Sequence, residues 1–394
     1  MVHRRRAVVA LLVALAATAG LSCRNLSPAA AVADTLPAWL TDEAFWGLVT
    51  DFSEPNGYFR SDNFLSNERA YQRVIPELQT TLPVNGVYVG VGPEQNFTYL
   101  IALKPKLAFI VDIRRGNLHE HLLYKSLIEM SADRAEFLSR LFARPRPAEV
   151  SAASPVDTLM AAYQAVEPRQ QLFDQNLRAI MDRLTNVHHF ALAPEDVEGI
   201  EYVYKAFYDA GPGLNYSFVN TASGAPNGAN GRGFGGGFGG GNFPTYADLM
   251  VETDGRGEQR GYLASEENFR ALADLEKRNA IVPVVGNFAG PKALRAVGRY
   301  VSGHGATVSA FYTSNVEMYL FQTDDWKKFY ANVATLPVTP ASTFIRSVSN
   351  RGRGFPNQIP GMRSLTRLSS IAGVVSGFQS GKVQGYSDII AMSR

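Results

Sequence analysis

Residues 86–100 read GVYVGVGPEQNFTYL, and residues 107–113 follow as LAFIVDI. The first stretch is a short apolar run ending in Gly90-Val91-Gly92, then Pro93, then polar residues that lead into a helical pattern. The second is an almost unbroken apolar run of strand length, as expected for a strand buried on both faces of a parallel sheet. Together they predict a strand, a tight glycine turn, a helix over 96–103 and a second parallel strand.

The same alternation returns late in the chain. A helix over 265–277 leads to AIVPVVG (280–286), a helix over 291–301, TVSAFYT (307–313), a helix near 324–333 and a short strand around 342–345. Five strands with intervening helices predict an α/β fold with a doubly wound, mainly parallel sheet. The tail at 346–361 reads as basic and turn-rich, and 385–393 as a returning edge strand.

Upstream, an aromatic-rich helix, a turn at Glu54-Pro55-Asn56-Gly57 and a helix from about Asn67, capped by Ser66 or Asn67, precede the first strand. Between the second and third strands, helical spacing at 118–142 gives two helices. Three more follow near 155–165, 168–186 and 195–210. The organisation is therefore a leader (1–33), the first half of the α/β domain (41–150), a helical insertion (151–222), a glycine-rich loop (223–242) and the second half (243–394). The loop holds ten glycines in the eighteen positions 224–241. It cannot repay its backbone entropy by burying side chains.

The leader reads as an export signal. Arg4, Arg5 and Arg6 precede an uncharged apolar run over 7–21, and Ala31-Val32-Ala33 fits the small-residue rule for cleavage. The expectation is an exported protein, periplasmic or extracellular, cut near Ala33. The alternative is a lipoprotein anchored at Cys23, the single cysteine. Without residues 1–33 the chain carries 34 basic and 36 acidic residues, so nucleic acid is not an expected partner. A membrane enters only through the leader or a lipid. The expected partner is a small molecule.

In open α/β sheets a ligand sits beyond the carboxyl ends of the strands, at the switch point of strand order. Gly90 and Gly92 let the backbone approach such a ligand, and the amides opening the next helix favour a polar or anionic group. Asp112 ends the second strand, 22 residues after Gly90, where nucleoside-binding folds place an acid for ribose hydroxyls.

On these residues, with GYFRSDNFLSNE, SADRAEFLSRLF, VPVVGNFAGPKALRAVG and FYTSNVEMYLF, the chain resembles class I S-adenosylmethionine-dependent methyltransferases. It resembles more closely an uncharacterised bacterial family with that Rossmann-like fold. The resemblance implies S-adenosylmethionine as cofactor and methyl transfer to an unknown substrate. It places Gly90, Gly92 and Glu94 in the first cofactor motif, Asp112 at the ribose and Asn287 at the adenine, with Gln95 and Asn96 as further cofactor-binding candidates beside the motif. Ser314 and Asn315 fall on the substrate side. The departures are Pro93 for a third glycine, Asn287 where Asp is commoner, and no Asn-Pro-Pro-aromatic run after the fourth strand.

Tyr58, Arg60, Asp62 and Asn63 lie in a polar segment ahead of the first strand that would reach a ligand, or would form an Asx-turn and helix-cap network. Asp62, His119 and Asn315 are candidates to orient a substrate, and no general base is identifiable. His119 and His121 are two apart on a helix and cannot chelate one metal as an i, i+4 pair would. No metal is expected. The other reading of the same residues is a non-catalytic ligand-binding or scaffold protein that keeps the fold without the cofactor.

Overall fold

The computed structural model describes residues 34–59, 61–216, 243–349, 359 and 362–394. The leader with Ala33 and Cys23, the candidate Arg60 and the glycine-rich segment lie outside the described residues. Thr35–Arg394 form one unit. Among the described residues no helix is long and apolar enough to cross a membrane.

The two stretches that open the α/β pattern become β1 (Val87–Gly90) and β2 (Leu107–Asp112), every residue of both buried. They are joined by a helix over Gln95–Leu103 and are followed by β3 (Ile281–Val285), β4 (Val308–Ser314), β5 (Val338–Ser349) and β6 (Ser364–Ser370). The sheet order is β3-β2-β1-β4-β5-β6. The β1 to β5 pairs are parallel and β6 is antiparallel to β5. The chain steps outward from β1 to β3, then returns to lay β4 on the other side of β1. The switch point is therefore between β1 and β4.

The helices, in chain order, begin with α1 (Asp42–Phe52), α2 (Ile75–Thr81), α3 (Gln95–Leu103), α4 (Arg115–Glu129) and α5 (Arg134–Leu141). The insertion adds α6 (Val156–Gln164), α7 (Gln170–Asp182) and α8 (Pro194–Ala210), then α9 (Tyr246–Met250) and α10 (Glu266–Lys277). The rest are α11 (Ala293–Gly303), α12 (Val316–Gln322), α13 (Trp326–Val333), α14 (Ile371–Gln379) and α15 (Tyr386–Ala391). The insertion is tied down by α8, whose Asp196 binds Arg115 and His119 of α4.

Three elements differ from expectation. The helix expected from Asn67 begins at a 3₁₀ turn, Tyr71–Val74, because the Ser66 hydroxyl accepts the Glu68 amide and holds a turn there. The short strand expected at 342–345 is the twelve-residue β5, which takes in Arg346. That guanidinium is buried yet paired with Glu317 at 2.6 and 3.1 Å, so the sheet tolerates it. Residues 385–393 are not an edge strand. Asp388 accepts the amides of Gln384 and Gly385 and starts α15 instead. Arg394 pairs with the edge strand β6, exchanging two backbone hydrogen bonds with Leu368.

Candidate functional site

The glycine turn after β1 is filled by its own helix. The Asn96 amide donates to the carbonyls of Val91 (3.0 Å), Gly92 (3.2 Å) and Pro93 (2.8 Å), and its oxygen accepts from the Tyr88 hydroxyl at 2.8 Å. A Cβ on Gly90 would lie 2.1 Å from that Asn96 oxygen, so Gly90 makes room for Asn96. Gly92 has φ +79°, which suits glycine. Its carbonyl also faces His121 Nε2 at 3.0 Å. A carbonyl only accepts, so Nε2 carries the proton and Nδ1 is left as an acceptor.

At the ends of β2 and β3 the chain supplies its own ligands. Asp112 is gripped by Arg114, with Nε and Nη2 each 3.1 Å from separate carboxylate oxygens and the backbone amide at 2.9 Å. Both residues are buried. Residues 53–57 cross the same strand ends. Glu54 donates its amide to the Val285 carbonyl and Gly57 donates to that of Ile113. The Glu54 carboxylate accepts from the amides of Asn287 (3.0 Å), Lys292 (2.8 Å) and Ala293 (2.9 Å). A side-chain anion thus holds the helix N-terminus that in nucleotide-binding sheets meets a ligand. Asn287 closes its own turn by accepting the Ala289 amide at 2.9 Å.

The unsatisfied chemistry lies between β1, β4 and α4. Fifteen buried side-chain nitrogen or oxygen atoms have no hydrogen-bond partner among the described residues, and eight of them belong to Glu68, Glu94, Gln95, Asn117, Glu120 and His121. Buried polar atoms are normally paired, so a concentration of exceptions in one place calls for a physical reason. Gln95 spans the switch point, its amide 3.0 Å from the Tyr312 hydroxyl of β4. Ser314 donates its hydroxyl to Glu68.

The acids here are held back from ionising. Burial pushes Glu94 up to about 8, and the nearby amides of Glu94 and Ser66 oppose the rise. Burial also raises Glu120 well above the ordinary range. The Glu94 and Asp112 charges push the same way and Arg114 opposes them. Glu68 rises to about 7 by burial, against the hydroxyls of Ser314, Tyr312 and Ser347. His121 falls to about 4 by burial, against the Gly92 carbonyl and the Asp112 charge, so the ring is neutral near pH 7.

The residues proposed from sequence therefore separate. Glu94 and Gln95 follow β1 at the switch point, where Gln95 reaches Tyr312 and Ser314 reaches Glu68, and the Glu94 charge acts on Glu120. Gly90, Gly92 and Asn96 build the turn beside them. Asp112 and Asn287 lie at the strand ends crossed by residues 53–57. Tyr58 is 85% exposed. Asp62 accepts from Tyr202 of α8 at 2.8 Å, and Asn63 sits at φ +59° with a buried, unpaired Oδ1. Asn315 is half-buried at the start of α12. His119 turns to α8, where its Nε2 meets Asp196 at 2.8 Å and a Cβ on Gly199 would clash with its ring. The histidine that faces the turn is His121.

Sequence reasoning gives no ligand role to Glu54, Glu68 or Glu120, and weighs His121 only as a metal ligand. The signal for Glu120 and His121 was a polar pair inside NLHEHLLY, on a helix otherwise patterned for burial. Among the described residues no group of His, Cys, Asp or Glu is placed to hold a metal ion.

No curated protein matches the chain. A family model described as a domain of unknown function, DUF7790, matches residues 63–193 and 241–370, which include every strand and the whole unpaired cluster. The matched segments cover more than half of the chain, and this protein belongs to the DUF7790 family.

Proposed function

We propose that this protein binds a small polar ligand on a Rossmann-like scaffold, beside Glu94, Gln95 and Glu120, and that it works outside the cytoplasm after losing residues 1–33. The observation that carries the reading is the concentration of unpaired buried polar atoms at the switch point. A nucleoside is disfavoured as the ligand because Asp112 is spent on Arg114 and the α11 N-terminus on Glu54. The test is to denature the purified protein and analyse what it releases by mass spectrometry, for the native chain and for Glu94→Gln. A small molecule carried by the native chain and lost from the variant supports the reading. No released molecule, together with no stabilisation by any member of a metabolite panel, ends it.

A second reading is S-adenosylmethionine-dependent methyl transfer, favoured by the Gly90-x-Gly92 turn at the switch point with Ser314 and Asn315 opposite. There the fold would act mainly by positioning the methyl group against a nucleophile. Fold likeness alone does not carry an activity. Calorimetric titration with S-adenosylmethionine and S-adenosylhomocysteine decides it. Saturable binding that Asp112→Ala weakens supports the enzyme, and no heat from either ligand removes it. Fractionation of cells carrying the native chain or Cys23→Ser tests the anchor, which predicts loss of membrane association only in the variant.

A further inference from the structure

We infer that the ligand of this site is a small organic cation bearing several N–H donors, of the di- or polyamine or guanidinium class. The inference rests on the small-ligand reading above and adds the chemistry of the ligand.

The unpaired atoms have one sense. Glu68 contributes one carboxyl oxygen, Glu94 and Glu120 two each, Gln95 its amide oxygen and His121 its Nδ1 lone pair, against a single donor, Asn117 Nδ2. With the carboxyls ionised, seven of the eight atoms accept hydrogen bonds. A phosphate or carboxylate ligand would find as donors only Asn117 Nδ2 and the O–H of whichever carboxyls stay protonated, and would oppose the ionisation of the rest. An ammonium or guanidinium group brings donors and charge together, and charge-assisted hydrogen bonds to carboxylates are the strong kind. Arg114, whose charge acts on Glu120, is already committed to Asp112.

The aromatic side chains around α4 suit the same class. Phe97 makes edge contacts with the rings of His121, Tyr124 and Tyr262, at centroid distances of 5.6, 5.2 and 5.4 Å. Tyr124 carries an unpaired buried hydroxyl. Burial raises its phenol well above the ordinary range, and the charges of Tyr262, Tyr246, Glu94 and Glu120 push the same way. Aromatic faces attract organic cations by cation–π interaction. A simple metal ion is a poorer occupant, because no metal-holding group of side chains exists among the described residues.

Binding such a cation must ionise carboxyls that burial keeps protonated, so protons leave as the ligand enters. Affinity should rise with pH through the neutral range. The groups are closed to solvent, so entry needs local opening and association should be slow.

The experiment is calorimetry on the full chain with spermidine, agmatine, adenosine, glucose and inorganic phosphate, in two buffers of different ionisation enthalpy. The expected result is saturable binding of spermidine or agmatine with proton release, weakened at least about tenfold in Glu94→Gln and in Glu120→Gln. Circular dichroism checks that both variants remain folded. If adenosine, glucose or phosphate binds in a Glu94-dependent way and neither amine does, the cation assignment is overturned while the small-ligand reading stands. Amine binding that neither substitution weakens overturns the assignment as well. If no probe binds, the assignment is overturned, and the mass-spectrometric release experiment independently decides the broader reading.

Discussion

The carboxylate of Glu54 lies in the space that a side chain on Gly290 would need: a Cβ built there would sit 2.3 Å from Glu54 Oε2. The glycine admits the acid, and the acid satisfies two amides at the start of α11 and that of Asn287 in the turn before it. The strap of residues 53–57 is pinned to the sheet through this pair.

Gly290→Ala should therefore destabilise the fold by about 1–3 kcal/mol, the cost of losing charge-assisted bonds to backbone amides. Glu54→Ala should cost a similar amount. The double variant should cost clearly less than the two added, which urea titration of all four proteins reads directly. Additive effects would mean that the two residues act independently.

Gly90 and Asn96 form a second coupled pair. Gly90→Ala forces the Asn96 amide out of the turn and leaves the carbonyls of Val91, Gly92 and Pro93 without that donor. A loss of about 3 kcal/mol or more is expected, from steric overlap together with unpaired buried groups. Thermal unfolding followed by far-UV circular dichroism would show it, and an unchanged midpoint would contradict the packing described.

The raised carboxyls set a pH dependence with a definite sign. Glu94 and Glu68 hold protons in the folded state up to about 8 and about 7, but release them near their ordinary values when unfolded. The folded state binds more protons between those limits, so stability from these groups is full below about pH 4.5 and is lost as pH rises toward 7 and 8. Each group gives a slope of at most about 1.4 kcal/mol per pH unit. Asp196 works the other way. Burial alone would raise it, but hydrogen bonds from His119 and Arg115 hold it well below the usual range, so its contribution fades as the solution becomes acidic. Urea midpoints across pH 5 to 8 should fall with pH in the native chain and fall less in Glu94→Gln. Parallel profiles would remove Glu94 as the source.

The buried pair Arg346 and Glu317 should behave as a unit. Glu317 also accepts from Tyr330 at 2.6 Å, and Arg346 reaches Ser393 at 2.8 Å. Arg346→Met strands a buried acid and should cost about 3–5 kcal/mol, whereas Arg346→Met with Glu317→Leu should recover much of that loss. Equal loss in both proteins would show that packing, rather than charge, holds β5 to α12.

The apolar runs at 87–91, 107–113, 280–286 and 307–313 determined the parallel sheet by themselves, because a strand covered on both faces can be built from little else. Helical periodicity likewise set the insertion. Where charge had to enter the sheet, pattern misled: Arg346 looks like the start of a basic tail until Glu317, 29 positions earlier in the chain, is seen to neutralise it. The candidate site was half legible. Gly90 follows from the rule that ligands sit at a switch point, and Glu94 and Ser314 from the methyltransferase resemblance. What only the tertiary structure decided is which polar atoms remain free there. Asp112 and Asn96 bear ligand-binding side chains in the sequence, yet Arg114 and the turn carbonyls use them up. Glu120 and His121 read as ordinary helix residues, yet the fold buries them with acceptors unpaired. Hydrogen-bond saturation depends on neighbours brought together by the fold, and no spacing along the chain records it.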